Sequence, residues 1–221
     1  MSEILALGDC NTLGIEKSRG NTYVEKFAAA LQKSVQNCGY TMSTTREMRY
    51  FFQDFYQEET EIILIQYGLV ASWKTFKYAP YVLYYPENRQ RKILRKIVKK
   101  YKKTAKKIGL NEWLGVANVV PAEEYEKNIT DIIRHAGTAL IVLIDTVPNL
   151  DISRNPEIRH YNEILSKLSQ KYDNVMHIAV YDDFVDKPEY YLDATHINDA
   201  GYELIVGKIL DRYREQKREK Q

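Results

Sequence analysis

Short, unbroken apolar runs alternate along this chain with stretches whose apolar residues recur every three or four positions. Ile4-Leu5-Ala6-Leu7 ends in Gly8, and Ile62-Ile63-Leu64-Ile65 is followed shortly by Gly68. Runs this short, with no polar alternation, predict strands covered on both faces, as parallel strands are. The same reading predicts strands at Tyr40 to Ser43, Thr138 to Ile144 and Val175 to Val180. Between them, Val24, Phe27, Ala28, Leu31 and Val35 have helical spacing, predicting a helix that opens at Asn21 and stops near Gly39. Thr44 or Thr45 opens another through Met48, Phe51, Phe52 and Phe55, and further helices are expected at roughly 122–136, 156–172 and 198–217. Strands alternating with helices imply a parallel sheet with helices on both faces. Ligands of such sheets bind beyond the carboxyl ends of the strands. Cys10, the segment after Gly68, and the loop holding Asp193 and His196 all fall at that edge.

Composition narrows the picture. With 221 residues, 44 % hydrophobic and 28 % charged, the chain reads as a single globular domain over 1–221 rather than a disordered or membrane-embedded one. An insert at about 73–137 separates the third and fourth strands; it is long for one crossover, and a cap over the site is expected there. The net charge of +2 hides a local excess. Eleven of the 32 Lys and Arg residues lie between Arg89 and Lys107, with no acid among them. Ile93, Leu94, Ile97, Val98, Tyr101, Ala105 and Ile108 form a stripe within that segment, predicting an amphipathic helix docked by its apolar side. Its charge is a candidate contact for a polyanion, although a solvated face is the simpler account. Two cysteines are too few for a disulfide framework. A reducing, cytoplasmic setting is expected, with no membrane span, because no apolar run approaches the ~20 residues needed.

The chemistry gathers at the two ends. Near the N-terminus stands Gly8-Asp9-Cys10-Asn11-Thr12, and near the C-terminus Asp193-Ala194-Thr195-His196. A thiol needs a base within reach to act as a nucleophile, and a histidine serves when a third group fixes its tautomer. Asp193, three residues before His196, is placed to be that group.

Together the two motifs resemble the SGNH hydrolase superfamily, the GDSL esterases and lipases. Gly8, Asp9 and Thr12 match the G-D-S-x-T pattern, and Asp193 to His196 is a complete D-x-x-H. The resemblance implies a three-layer α/β/α sandwich around a parallel five-stranded sheet, flavodoxin-like in outline. It also implies acyl-ester hydrolysis, with Cys10 as nucleophile, His196 as base and Asp193 orienting it. An O-acetyl group on a carbohydrate is the preferred substrate, and no metal or cofactor is expected. Asp9, Asn11, Thr44, Gly68 and Trp73 are the candidate oxyanion and substrate-binding residues, with Ser72 a further donor.

Two departures stand out. Cys10 replaces the family's serine. Val70, within Gly68-Leu69-Val70-Ala71, stands where the family's third motif supplies an asparagine to the oxyanion hole, a kind of donor whose loss costs on the order of 10²–10³ in rate. The second motif's glycine has no clear counterpart. Two other readings therefore stay open: an acyltransferase using the same acyl-enzyme, and a binding protein that has lost catalysis.

Other features have plainer accounts. His177 lies in an apolar strand and reads as a satisfied core residue, with His135 and His160 on helix surfaces. Asp145 and Asp182-Asp183 are pocket candidates or turn formers. Gly8 to Gly14 lacks the Gly-Lys-Ser/Thr ending of a phosphate loop. Trp73, Phe76, Tyr78, Tyr81, Tyr84 and Tyr85 are dense enough for a sugar or acyl site, but aromatics also build cores.

Overall fold

Ile4–Gly8 forms strand β1, buried along its whole length. In the computed structural model, which describes residues 2–15 and 18–219, it lies between β2 (Val35–Gly39) and β3 (Ile62–Gln66). β6 (Leu140–Ile144) and β7 (Val175–Ile178) complete a sheet of order β2-β1-β3-β6-β7, with every pairing parallel. The side strand pair β4 (Lys74–Phe76) and β5 (Val116–Asn118) is antiparallel.

The period of two along each strand divides the core. Leu5, Leu7, Ile63, Ile65, Ile141 and Leu143 face one side, where they meet Met48 and Phe51 of α3 (Thr45–Phe55). Ile129 of α6 (Ala122–His135) and Leu165 of α7 (Asn155–Lys171) complete that side. Ile4, Ala6, Leu64 and Val142 face the other, against Phe27 of α2 (Tyr23–Leu31) and Ile205 of α8 (Asp199–Glu219). Three layers follow, as the resemblance implied. No described helix is long and apolar enough to cross a membrane.

The second strand differs from the sequence-based expectation. Thr22, rather than Asn21, caps α2 through a reciprocal bond with Glu25, and the helix stops at Leu31 because Gln32 turns left-handed at φ 56°. Val35 therefore belongs to β2, and Tyr40 to Ser43 forms a turn closed by Ser43 N–H on Tyr40 O (3.0 Å). Val35 falls in helical register with Leu31 by coincidence. Gly39 closes β2 beneath the turn formed by α1 (Cys10–Leu13), and a Cβ on it would lie 2.3 Å from the Leu13 nitrogen.

Residues between β3 and β6 build more than a crossover. β4, β5, α4 (Arg89–Lys107) and α5 (Leu110–Leu114) form an added unit, whereas α6 packs on α3 within the body. Glu47, fully buried in α3, ties the unit down by accepting from the Tyr81 hydroxyl (2.9 Å) and the Tyr84 N–H (2.8 Å). α4 docks by only part of its apolar stripe. Ile93, Leu94, Ile97 and Ile108 are 48–63 % exposed, and α4 is held within the added unit by buried Ala105, by Tyr101 edge-on to Phe76 of β4 and by Arg95. Arg95 donates to Leu83 O at 2.8 Å and pairs with Glu87 at 2.6 Å.

Candidate active site

The chain leaves β1 at Gly8 and turns at once into α1, a single helical turn. Asp9 caps it: its Oδ1 accepts from the Asn11 N–H at 3.0 Å. Cys10 opens the turn, 6 % exposed, packed with Leu69, Ile158 and Tyr181. This edge is a topological switch point, because β1 leads to β2 on one side and β3 joins on the other.

The Asp193–His196 segment closes on itself. Asp193 Oδ1 accepts from the backbone N–H groups of Thr195 (2.7 Å) and His196 (2.8 Å), while its Oδ2 accepts from His196 Nδ1 at 2.8 Å. With Nδ1 on the carboxylate, Nε2 is the ring nitrogen left to handle a proton, and it has no hydrogen-bond partner among the described residues.

Asn11 joins the two ends. Its Nδ2 donates to Thr195 O (3.2 Å), and its Oδ1 accepts from the Ile197 N–H (3.2 Å), so one amide holds the residues on both sides of His196. Asn149, which sequence reasoning passed over, adds a donor to Thr195 Oγ1 at 3.0 Å. Leu150 N–H donates to Ala194 O at 2.9 Å.

The remaining candidates divide by what occupies their polar groups. The Asn11 amide is engaged with the His196 segment. Thr44 caps α3, and both its N–H (2.9 Å) and its hydroxyl (2.7 Å) donate to Glu47, which leaves neither for an oxyanion. Gly68 has φ 153° and lies against Thr146, where a Cβ would come within 2.3 Å of Oγ1. Trp73 stacks under the Arg154 guanidinium, 4.7 Å from its ring centre. The Ser72 hydroxyl donates to Leu69 O at 3.4 Å. Met42 has φ 64°, the left-handed backbone that favours glycine, in the turn that precedes Thr44.

Arg154 is the other residue that sequence reasoning missed. It arrives at the end of a 3-10 turn (Ile152–Arg154), donates to Leu69 O at 2.7 Å and exerts its charge on both Asp9 and Cys10. Burial lowers its pKa. Asp145 is a turn former: its carboxylate accepts from His177 Nε2 (2.8 Å) and from the N–H groups of Val180 (3.2 Å) and Tyr181 (3.3 Å), fixing the backbone at Tyr181, which packs with Cys10. Asp182 and Asp183 pair with Arg159 (3.2 Å) and Lys208 (2.9 Å).

Burial, then the Asp9 charge, push the Cys10 thiol far above its ordinary range, with nearby backbone N–H groups opposing and Asp193 adding to the rise. A resident thiolate is disfavoured. Burial also lifts Asp9, from 3.8 to about 6, against the pull of the Asn11 N–H and of the His196 and Arg154 charges. Asp193 is lowered: burial would raise it, but the His196 ring and the two backbone donors together outweigh that.

The Asp9 shift has a measurable sign. Between its unfolded and folded values the native state holds the extra proton, so stability is greatest below about pH 4 and falls as pH rises to about 6, by roughly 3 kcal/mol from this group. Asp9→Asn keeps an oxygen for the Asn11 N–H and removes the titration. Urea midpoints of wild type and variant are expected to diverge across that window, the variant gaining relative stability as pH rises. A constant difference from pH 4 to pH 7 would refute the assignment.

A cavity of about 1160 Å³ opens beside this edge, walled by Val70, Trp73 and Arg154 of the body and by α4 of the added unit. Tyr81 and Tyr84 also line it, whereas Phe76 is buried, Tyr78 is exposed and Tyr85 stacks on Phe51 at 3.8 Å.

This arrangement is the α/β/α fold of lipolytic and esterase proteins. A lipolytic G-D-S-L family protein from Veillonella parvula is 17 % identical with a TM-score of 0.62, over 94 % of this chain and 96 % of that one. A catalytic mutant of an acetylxylan esterase from Geobacillus stearothermophilus is 14 % identical with a TM-score of 0.64, over 96 % and 93 %. A lipase/acylhydrolase from Enterococcus faecalis is 17 % identical with a TM-score of 0.63, over 99 % and 97 %. No protein-family model and no curated protein matches the chain.

Proposed function

We propose that the chain hydrolyses acyl esters through a Cys10 thioester, with His196 as general base and acid and Asp193 holding the imidazole. The observation that carries this reading is the Asn11 amide, which binds both neighbours of His196 from the residue next to Cys10. The similarity to esterase structures supports the same class.

Because the thiol is held protonated, deprotonation accompanies attack. As Cys10 Sγ bonds to the acyl carbon, its proton passes to His196 Nε2, and the imidazolium is stabilised by Asp193. Collapse of the tetrahedral intermediate breaks the bond to the alcohol oxygen, which takes the proton from Nε2. Water then attacks the thioester, giving up a proton to Nε2, and the carboxylic acid leaves as the thiol reforms. The Cys10 N–H is the oxyanion donor in this scheme, with Val70 adding none. The sulfur thus acts as a serine would, on demand.

An O-acetyl group on a carbohydrate is the proposed ester, supported by Trp73, Tyr81 and Tyr84 along the cavity and by the likeness to an acetylxylan esterase. The two thiols, both buried and unpaired, suit the reducing cytoplasm. Incubation with p-nitrophenyl acetate is expected to release p-nitrophenol and to leave, after acid quenching, an acetyl group on Cys10 that neutral hydroxylamine removes. Release no faster than buffer, with Cys10 unmodified, would overturn the proposal. Acetyl transfer to an added sugar in preference to water would reassign the second step to a transferase.

A further inference from the structure

Helix α4 is turned opposite to an ordinary amphipathic helix. Ile93, Leu94 and Ile97 of its apolar stripe are exposed, while Lys92, Lys96, Lys99, Lys102 and Lys106 line the cavity. Their spacings of three and four residues place them along one face. None of the five has an ion pair or side-chain hydrogen bond among the described residues. The other cations of the wall are engaged: Arg95 on Glu87 and the Tyr84 ring, Lys74 on Glu157 at 2.8 Å, and Arg154 on Leu69 O and Trp73. Only Asp151 and Glu157 bring negative charge to the lining, and both are already held, by Ser153 and Lys74.

Five like charges gathered along a concave wall repel one another, and burial already lowers the pKa of Lys102. Water at an open surface would screen them better. The wall acquires its missing countercharge when an anion enters. The row is also long: fourteen residues at 1.5 Å each separate Lys92 from Lys106, about 21 Å. A single small anion would use one end of such a row. An extended chain with repeated negative charges uses all of it.

We propose that this cavity binds an acidic polysaccharide, whose carboxylate or sulfate groups lie along the α4 lysines while an acyl ester on the same chain reaches Cys10. The ester part, and with it the choice of a polysaccharide, rests on the function proposed above; the binding of a chain of negative charges does not. A polysaccharide is favoured over a nucleic acid because it can present acyl-bearing hydroxyls and anionic groups on neighbouring sugars. Trp73, Tyr81 and Tyr84 line the same cavity, each with an arginine over one ring face.

Two measurements separate the parts. Binding is measured first, without turnover, by Trp fluorescence or calorimetry with polygalacturonate, dextran sulfate, neutral dextran and single-stranded RNA. The polyuronate or the sulfated chain is expected to bind at least about tenfold more tightly than neutral dextran, as several weak ion pairs together provide, and to be released by high salt. Lys96→Gln/Lys99→Gln/Lys102→Gln is expected to remove that preference, and the corresponding triple arginine variant to keep it. The carboxylated and sulfated arms identify which anion is preferred. Equal binding of neutral and acidic chains, tighter binding of RNA, or a preference that survives the triple glutamine change would overturn the proposal.

Turnover is measured second, on acetylated polygalacturonate and on acetylxylan. The ratio of their kcat/KM values is expected to favour the acidic chain by about tenfold in wild type and to fall towards one in the glutamine variant. A ratio that favours the neutral chain would overturn it. Binding of the acidic chain with no turnover of any ester would instead sink the hydrolase reading and leave the binding site standing.

Discussion

Replacing either Cys10 or His196 with alanine is expected to lower kcat/KM for p-nitrophenyl acetate by about 10⁴-fold or more, and the double variant to be scarcely slower than either single one. In the proposed mechanism the two residues act on one proton. Without the thiol there is no acceptor for the acyl group, and without Nε2 the thiol keeps its proton, because burial and Asp9 hold it on the sulfur. A low-pKa cysteine would behave differently, since a preformed thiolate can attack without a base. The size of the His196→Ala effect therefore tests the electrostatics of Cys10 as well as the role of the histidine. Asp193→Asn is expected to cost less, about 10²–10³, because the Asp193 side chain is 52 % exposed and water can partly replace its contact. Rates for Cys10→Ala and His196→Ala equal to wild type would remove the mechanism.

How far the sequence reveals this molecule depends on how local each cause is. β1 and β3 were legible because strands covered on both faces are apolar at every position, and neither sheet face had to be guessed. The helix at α3 was legible from Thr44, whose capping role needs only Glu47 three residues on. The same bond made Thr44 a poor oxyanion candidate, a consequence that its expected place just after a strand concealed. Val35 misled because one apolar residue in helical register cannot be told from the first residue of a strand when the stop signal, Gln32 turning left-handed, is not a glycine. The orientation of α4 was beyond reach for another reason. Periodicity identifies an apolar face but does not say whether any element lies opposite it, and here the added unit holds the helix through Ala105, Arg95 and the edge of Tyr101. Cys10, Asp193 and His196 stood in recognisable short motifs. Arg154 and Asn149 stand in none, and reach the site only because the chain after β6 folds back over the sheet edge.

Asn11→Ala is expected to lower kcat/KM by about 100-fold and the unfolding free energy by roughly 2–4 kcal/mol, although the side chain is assigned no chemical step. The stability loss comes from Thr195 O and the Ile197 N–H, which lose their partner where water has little access; each such orphan costs about 1–3 kcal/mol. The rate loss has a separate origin. Asp193 fixes the imidazole relative to its own loop, and Asn11 ties that loop directly to the backbone beside the thiol; a displacement of about 1 Å between reacting groups is enough for a 10²-fold penalty. The two effects can be told apart by temperature and by substitution. A merely destabilised enzyme recovers its rate when cooled well below its unfolding transition, whereas a misplaced base does not. Asn11→Asp offers oxygens to the Ile197 N–H but sets a carboxylate against Thr195 O, and is expected to recover less activity than Asn11→Gln would if reach alone mattered. Full activity of Asn11→Ala at low temperature would show that the imidazole finds the sulfur without this amide, and would undo the observation on which the proposed function rests.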